Sequence, residues 1–155
     1  MLEDEYSNPL ASAPEAEPGI YVYGEVVKEL NVPNGTVKIG DYLFCGNKQL
    51  KSLILPESLE VIGKSAFAES GINDKVTIQN AIQTIEPYAF YNTKLSVVAI
   101  VGAPTMVVYN QYGERQSSIS TADPLYSNYD SYYVAEKLRD SWAEYTWIRY
   151  IPEAE

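Results

Sequence analysis

Apolar residues recur at a fixed interval between residues 28 and 101 of the chain. Shifting the sequence by 23 positions superimposes four apolar columns, each with one residue from every repeat. The columns are Leu30, Leu53 and Val76; Val32, Leu55 and Ile78; Ile39, Ile62 and Ile85; and Phe44, Phe67 and Phe90. Self-similarity of this kind predicts a protein built from stacked repeats, none of which buries its apolar side alone.

Each repeat begins with two apolar residues that flank one outward residue, as in Leu53-Ile54-Leu55. This alternation predicts a strand that is too short to be stable without neighbours in a sheet. A fourth strand of the same kind is predicted at residues 98–100, and residues 102–104 end the pattern with Gly-Ala-Pro. We therefore predict a solenoid of about four rungs, with short parallel strands on one face and little helix.

Both ends of such a stack need caps, since an end repeat would otherwise expose its apolar side. Residues 1–19 are acidic and rich in Pro, Ala and Ser, which predicts a disordered linker. The alternation in residues 20–27 predicts a strand that caps the first repeat. The predicted repeat domain, with this cap, spans residues 20–101.

Residues 102–155 form the predicted C-terminal cap, in which a tyrosine-rich loop precedes a helix. Residues 105–109 are predicted to form a further strand, and the remainder before the helix an ordered loop. The helix is predicted over residues 131–144, because Asp130 or Ser131 can cap its N-terminus. Its apolar stripe, predicted to close the last rung, consists of Val134, Leu138 and Trp142.

Two stretches, KSLILPESLEVIGKSAFAESGI and DKVTIQNAIQTIEPYAFYNTKL, place IG-x-x-AF or a close variant soon after a short strand. They resemble the BspA-like, or Treponema pallidum, class of bacterial leucine-rich repeat. The segment YYVAEKLRDSWAEYTWI is similar to the cap that follows such repeats in secreted proteins of gut Bacteroidetes, although the strand that usually precedes it is degenerate here. The column that usually holds cysteine contains Asn47, Ser70 and Thr93.

The resemblance implies a right-handed leucine-rich-repeat solenoid with a helical cap on an exported, often surface-anchored protein. It also implies roles in adhesion or host-matrix binding, and no catalytic residues. An extracellular or cell-surface location is therefore expected. The acidic start is similar to the tether that follows a lipoprotein cysteine, and any such signal or anchor is expected to have been removed ahead of residue 1.

Composition narrows the classes of partner. The net charge of −10 disfavours binding to nucleic acid, and no apolar run is long enough for direct membrane insertion. The chain has no histidine, so serine triads, Cys-His dyads and histidine-ligated metals are excluded. We expect neither catalysis nor a cofactor nor a metal.

Three groups of reactive side chains have simpler interpretations. Glu57 and Glu60 are expected to be solvated surface acids, not the acid pair of a glycosidase. Cys45 is expected to be a semi-buried structural thiol, because the sequence places no base beside it. The acidic residues between 123 and 130 lack the spacing of a calcium loop and are typical of turns.

The predicted binding surface has two parts. The first consists of the outward positions of the strand face, Asn31, Ile54, Thr77 and Ala99. The second lies in the tyrosine-rich tail. The whole chain has 14 tyrosines and 3 phenylalanines, a bias that indicates half-exposed contact surfaces. The members of this second part are Tyr109, Tyr112, Tyr126 and Tyr129. The alternative for these tyrosines is packing within the cap with solvated hydroxyls.

The function predicted from these features is that of a non-catalytic secreted or cell-surface interaction module that binds a protein. The alternatives are a structural spacer and a glycan-binding accessory domain of a surface lipoprotein.

Overall fold

The computed structural model describes residues 21–22, 25–121 and 130–152. The strands, in chain order, are β1 (Tyr21–Val22), β2 (Glu25–Val26), β3 (Glu29–Asn31), β4 (Lys38–Ile39), β5 (Ser52–Ile54), β6 (Val61–Ile62), β7 (Val76–Ile78), β8 (Thr84–Ile85), β9 (Val98–Ile100), β10 (Thr105–Tyr109), β11 (Arg115–Ser120), β12 (Asp130–Ser131) and β13 (Thr146–Arg149). Helix α1 (Tyr132–Glu136) continues directly into a π-helix (Lys137–Ser141). The regular secondary structure of the described residues is thus mostly strand with little helix, as predicted.

The first row of repeat strands forms two separate parallel pairs, β3–β5 and β7–β9, and β5 does not pair with β7. Leu30 lies opposite Leu53 in the β3–β5 pair, and Val76 lies opposite Val98 in the β7–β9 pair. The predicted alternation also holds, since Leu53 is buried whereas Ile54 is 48% exposed. The predicted parallel pairing of these short strands is therefore confirmed within each pair, whereas a single sheet through all four strands does not form.

A second row of short parallel strands consists of β4, β6 and β8. Ile39 lies opposite Ile62, and Ile62 lies opposite Ile85. The prediction of strands on one face only is therefore wrong. Each strand of this row has two residues and ends on the fully buried isoleucine column, so burial of that column holds the strands in register.

The turns that follow the second row stack on one another through their backbones. The Phe44 N–H donates to the Ala66 carbonyl, and the Phe67 N–H donates to the Ala89 carbonyl, both at 2.8 Å. Inside this ladder the ring of Phe67 stacks on those of Phe44 and Phe90, with centroid distances of 5.4 and 5.5 Å. Backbone hydrogen bonds and aromatic stacking therefore hold the same part of each repeat.

Left-handed backbone recurs in these turns with the 23-residue period. The residues with positive φ are Tyr42, Ser65 and Tyr88 at the first position and Gly46, Glu69 and Asn92 at the second. Each of them donates its N–H to a carbonyl of the following repeat or of the cap. Backbone that is unfavourable for non-glycine residues is held in place because it aims these donors along the stack.

The C-terminal cap extends the second row of strands. β13 pairs antiparallel with β8, and β10 and β11 complete a mixed six-stranded sheet. Trp147 in β13 is fully buried, and its indole N–H donates to the Trp142 carbonyl at 3.2 Å. The predicted strand at residues 105–109 is confirmed, whereas residues 115–120 form a strand where a loop was predicted.

The helix of the cap begins as predicted but ends early. Ser131 is its N-cap and accepts a hydrogen bond from the Val134 N–H at 2.9 Å. The helix widens to π geometry after Glu136, and the Trp142 N–H donates to the Lys137 carbonyl, five residues back. The cap therefore contains the predicted helix in a shorter form, and strands supply more of the cap than was predicted.

Expectations for the N-terminal residues are tested only in part. Residues 1–20 lie outside the described residues, and with them the predicted linker. Where a single capping strand was predicted over residues 20–27, β1 and β2 pair antiparallel with each other.

Candidate ligand-binding surfaces

The strand face is a shallow surface centred on Ile54. Asn31 and Ile54 are exposed and Thr77 is half-buried, so three of the four predicted positions reach solvent. Beside them lies a depression of about 360 Å³. It is lined by Leu53, Ile54, Leu55, Lys75, Thr77 and Gln79. One exposed aliphatic side chain with polar neighbours can anchor the centre of a small protein contact.

 Ala99 is only 5% exposed, and it lies opposite Asp130 in the antiparallel β9–β12 pair. Helix α1 also contacts β9. The prediction that Ala99 is an outward binding position is wrong, because the chain returns over the last strand of the row and closes it.

The predicted tyrosines of the tail divide between accessible, half-buried and undescribed positions. Tyr112 is 77% exposed at the tip of the β10–β11 hairpin. Tyr109, at the end of β10, is half-buried. Tyr126 and Tyr129 lie outside the described residues. Tyr112 is therefore the predicted tail residue that is best placed to touch a ligand.

Tyr112 borders a groove between the third repeat and the cap, with a volume of about 390 Å³. Four segments that are distant in sequence meet there. The lining residues are Lys64, Pro87, Tyr88, Asn110, Gln111, Tyr112, Gln116, Glu144 and Tyr145. Tyrosine rings, amide side chains, one lysine and one glutamate thus line a single open groove.

The hairpin tip that carries Tyr112 is organised by Asn110. The Asn110 Oδ1 accepts hydrogen bonds from the backbone N–H groups of Tyr112 at 2.9 Å and Glu114 at 3.0 Å. Its amide nitrogen donates to the Glu114 carboxylate at 2.9 Å. Local side-chain bonds of this kind hold a turn in one conformation. Asn110 therefore fixes the backbone from which Tyr112 projects.

The opposite side of the groove is fixed by the junction of repeat and cap. The Tyr88 N–H donates to the Ala143 carbonyl at 2.6 Å, and the Asn92 N–H donates to the Arg139 carbonyl at 3.0 Å. Tyr145 packs against the core, with its ring centroid 6.4 Å from that of Trp142. Tyr88 and Tyr145 are thus carried by backbone that the stack itself holds.

A second depression of about 390 Å³ lies on the same junction. It is lined by Tyr91, Asn92, Thr93, Arg139 and Asp140. Tyr91 contacts Tyr88 of the first groove edge-to-face, with ring centroids 5.3 Å apart. We call the two depressions and their lining residues the tyrosine seam.

The sequence alone did not single out Tyr88, Tyr91 or Tyr145 as site residues. Tyr88 and Tyr91 flank a core phenylalanine in the third repeat, so their positions are periodic and look structural. Their signal is a change of residue type, since the second repeat has Ser65 and Ala68 at the same positions. The first repeat also has a tyrosine, Tyr42, in the column of Tyr88, so only Tyr91 is particular to the repeat that meets the cap.

The acidic and thiol side chains considered as reactive groups do not line the tyrosine seam. Glu57 and Glu60 are exposed, as predicted for surface acids. Cys45 is exposed, so the prediction of a semi-buried thiol is wrong. It lies in the first repeat, whose β4 is an edge strand among the described residues. No described helix has the length and apolar character needed to cross a membrane.

The family model for the BspA type leucine rich repeat region matches residues 20–119, in six copies. The chain belongs to this family. BspA-type leucine-rich repeats are commonly surface protein-interaction modules, and the family is generally a non-catalytic scaffold. Curated proteins and solved structures give no match to the chain.

Proposed function

We propose that this BspA-type chain is a non-catalytic, extracellular or cell-surface module that binds a protein of the adhesion or host-matrix type. The observation that carries the proposal is the exposed strand face around Ile54, set on a rigid stack of repeats. We propose further that the repeats coil as a right-handed solenoid of about four rungs.

The strand face supports a protein contact because its backbone is fixed by the sheet and its side chains stand outward. Ile54 is an aliphatic anchor, and Asn31, Lys75 and Thr77 surround it with polar groups. An apolar centre within a polar rim is the usual anatomy of a protein interface. The face is small, so the exposed Tyr112 of the cap is proposed to add area to the contact.

Surface plasmon resonance against a panel of purified plasma and extracellular-matrix proteins tests the proposal. At least one panel protein should bind the intact chain with a Kd in the micromolar range. Ile54→Asp should weaken that binding at least tenfold, because it places a charge at the apolar centre of the contact.

Val37 supplies the matched control, since it is 49% exposed against 48% for Ile54 and lies outside the strand face. Val37→Asp should leave the Kd within twofold. Equal losses in the two variants, or no binding by any panel protein, would contradict the proposal. The second of these results would favour the structural spacer.

A further inference from the structure

We propose that the tyrosine seam binds a neutral oligosaccharide. This site and its ligand class go beyond the proposed protein contact. The seam shares no lining residue with the depression on the strand face, and Tyr112 is the one residue that both proposals use. Four tyrosines, spread over two depressions that meet at a ring contact, are the feature from which the inference starts.

The tyrosines offer aromatic faces with polar tips. Tyr88, Tyr91 and Tyr112 are 38%, 39% and 77% exposed. A pyranose ring presents a face of C–H groups that packs on an aromatic ring, and a rim of hydroxyl groups that need hydrogen-bond partners. A ring with a phenolic hydroxyl at its edge matches both requirements.

The remaining lining residues suit hydroxyl groups better than a protein surface. Gln111, Gln116 and Asn92 are amides, which both donate and accept hydrogen bonds. Pro87 is the sole aliphatic ring among the lining residues, and no Leu, Ile, Val or Met lines either depression. Protein hot spots need dry, well-packed pockets, which this lining does not supply.

The charged side chains of the seam do not favour an acidic glycan. Lys64 and Arg139 contribute two positive charges, and Glu144 and Asp140 contribute two negative ones. The seam is therefore balanced within a chain of net charge −10. A sulfated or uronic-acid chain would gain no net attraction from these balanced charges and would meet the negative field of the whole protein, so a neutral oligosaccharide is the expected ligand.

The seam is held in shape before any ligand arrives. Asn110 fixes the hairpin tip of Tyr112. Backbone hydrogen bonds to Ala143 and Arg139 fix the turn that carries Tyr88 and Tyr91. A preformed surface loses little conformational entropy on binding, which weakly interacting ligands such as sugars require.

Isothermal titration calorimetry of the intact chain with defined hexasaccharides tests the inference. The neutral probes are malto-, cello-, manno- and chitohexaose, and the acidic probes are a heparin hexasaccharide and hexagalacturonate. At least one neutral probe should bind, at least tenfold more tightly than either acidic probe. Absence of binding by every neutral probe at 10 mM overturns the inference, as does tighter binding of an acidic probe.

Variants of the bound protein then locate the site. Tyr112→Ala and Tyr91→Ala should each weaken binding at least tenfold, whereas Tyr112→Phe, which keeps the ring, should weaken it less than threefold. Tyr150, exposed outside the seam, is the matched control, and Tyr150→Ala should stay within twofold. Equal effects of Tyr112→Ala and Tyr150→Ala would overturn the inference.

Ile54→Asp separates this inference from the proposed protein contact. It should leave hexasaccharide binding unchanged while it weakens protein binding. A parallel loss of both activities would show that the seam is not an independent site.

Discussion

The two ends of the repeat stack differ in how their apolar columns are covered. At the C-terminal end, Phe90 and Ala89 are buried beneath the cap, whose carbonyls accept the last donors of the ladder. At the first repeat, Leu43 is 59% exposed and Phe44 is half-buried, although their equivalents in the next repeats are buried. The same columns therefore contribute to stability only where a neighbour lies against them.

The cap covers the last repeat by extending two structures that run through the stack. Its carbonyls continue the ladder of the turns, and β13 continues the second row of strands. The junction that completes the fold is also the junction that forms the tyrosine seam. Closing the stack and building the candidate glycan site are thus two consequences of one interface.

The largest expected effect comes from truncating equivalent phenylalanines at the two ends. Phe90→Ala should lower the free energy of unfolding by about 3–5 kcal/mol, because it opens a cavity in a fully buried stack. Phe44→Ala should cost about 1–2 kcal/mol, since that ring stacks on one side only. Urea denaturation followed by circular dichroism measures both, and equal costs would remove the contrast between the ends.

The repeat columns could be predicted from the sequence, whereas the contrast between the ends could not, because the sequence predicted a cap at both. The 23-residue period located the inward columns and the parallel strands. It did not reveal β4, β6 and β8, because two-residue strands carry no alternation of their own. Polar β11, which buries only Ile119, is a strand through its pairing with β10.

The candidate site was predictable only in part, for a related reason. Tyr112 stood out as a tyrosine in a polar loop, but its partners in the seam come from the third repeat and the end of the cap. Their meeting depends on how β13 folds back onto β8, which no local pattern encodes. The prediction of Ala99 failed for the same reason, since β12 returns to the last strand of the first row.

The next effect concerns the side chain that ties β13 to the third repeat. The Arg149 guanidinium donates to the carbonyls of Ile82 and Asn80, both at 2.8 Å. Arg149→Met should lower the free energy of unfolding by about 1.5–3 kcal/mol, the range for hydrogen bonds from a charged group.

Arg115→Met, at an exposed position of β11, is the matched control and should change stability by less than about 0.5 kcal/mol. Thermal unfolding of both variants measures the difference. If Arg115→Met lowers the free energy of unfolding as much as Arg149→Met does, the hydrogen bonds from Arg149 to the third repeat are unimportant for stability.

A smaller effect is expected at the start of the cap helix. Ser131→Ala removes the acceptor for the Val134 N–H and should cost about 1 kcal/mol. Ser131→Thr, which keeps the hydroxyl acceptor, should recover part of that loss, as seen in the urea midpoint. Equal midpoints for the alanine variant and the unchanged chain would mean that the cap does not depend on this bond.

The smallest effect is expected at the open end. Leu43→Ser should change the free energy of unfolding by less than about 0.5 kcal/mol, because the side chain is largely exposed. At the equivalent position of the second repeat, Ala66→Ser places a hydroxyl in a fully buried site and should cost about 1–3 kcal/mol. Urea denaturation compares the two, and a greater loss for Leu43→Ser would show that the first repeat is covered.

Amide hydrogen exchange measured by NMR tests the central claim most directly, namely that the cap closes the stack by continuing its backbone ladder. The Tyr88 and Asn92 amides, which donate to cap carbonyls, should be protected as strongly as the equivalent Ser65 and Glu69 amides, which donate to the third repeat. Exchange of the Tyr88 and Asn92 amides at rates near those of an unfolded chain, with Ser65 and Glu69 still protected, would contradict the account.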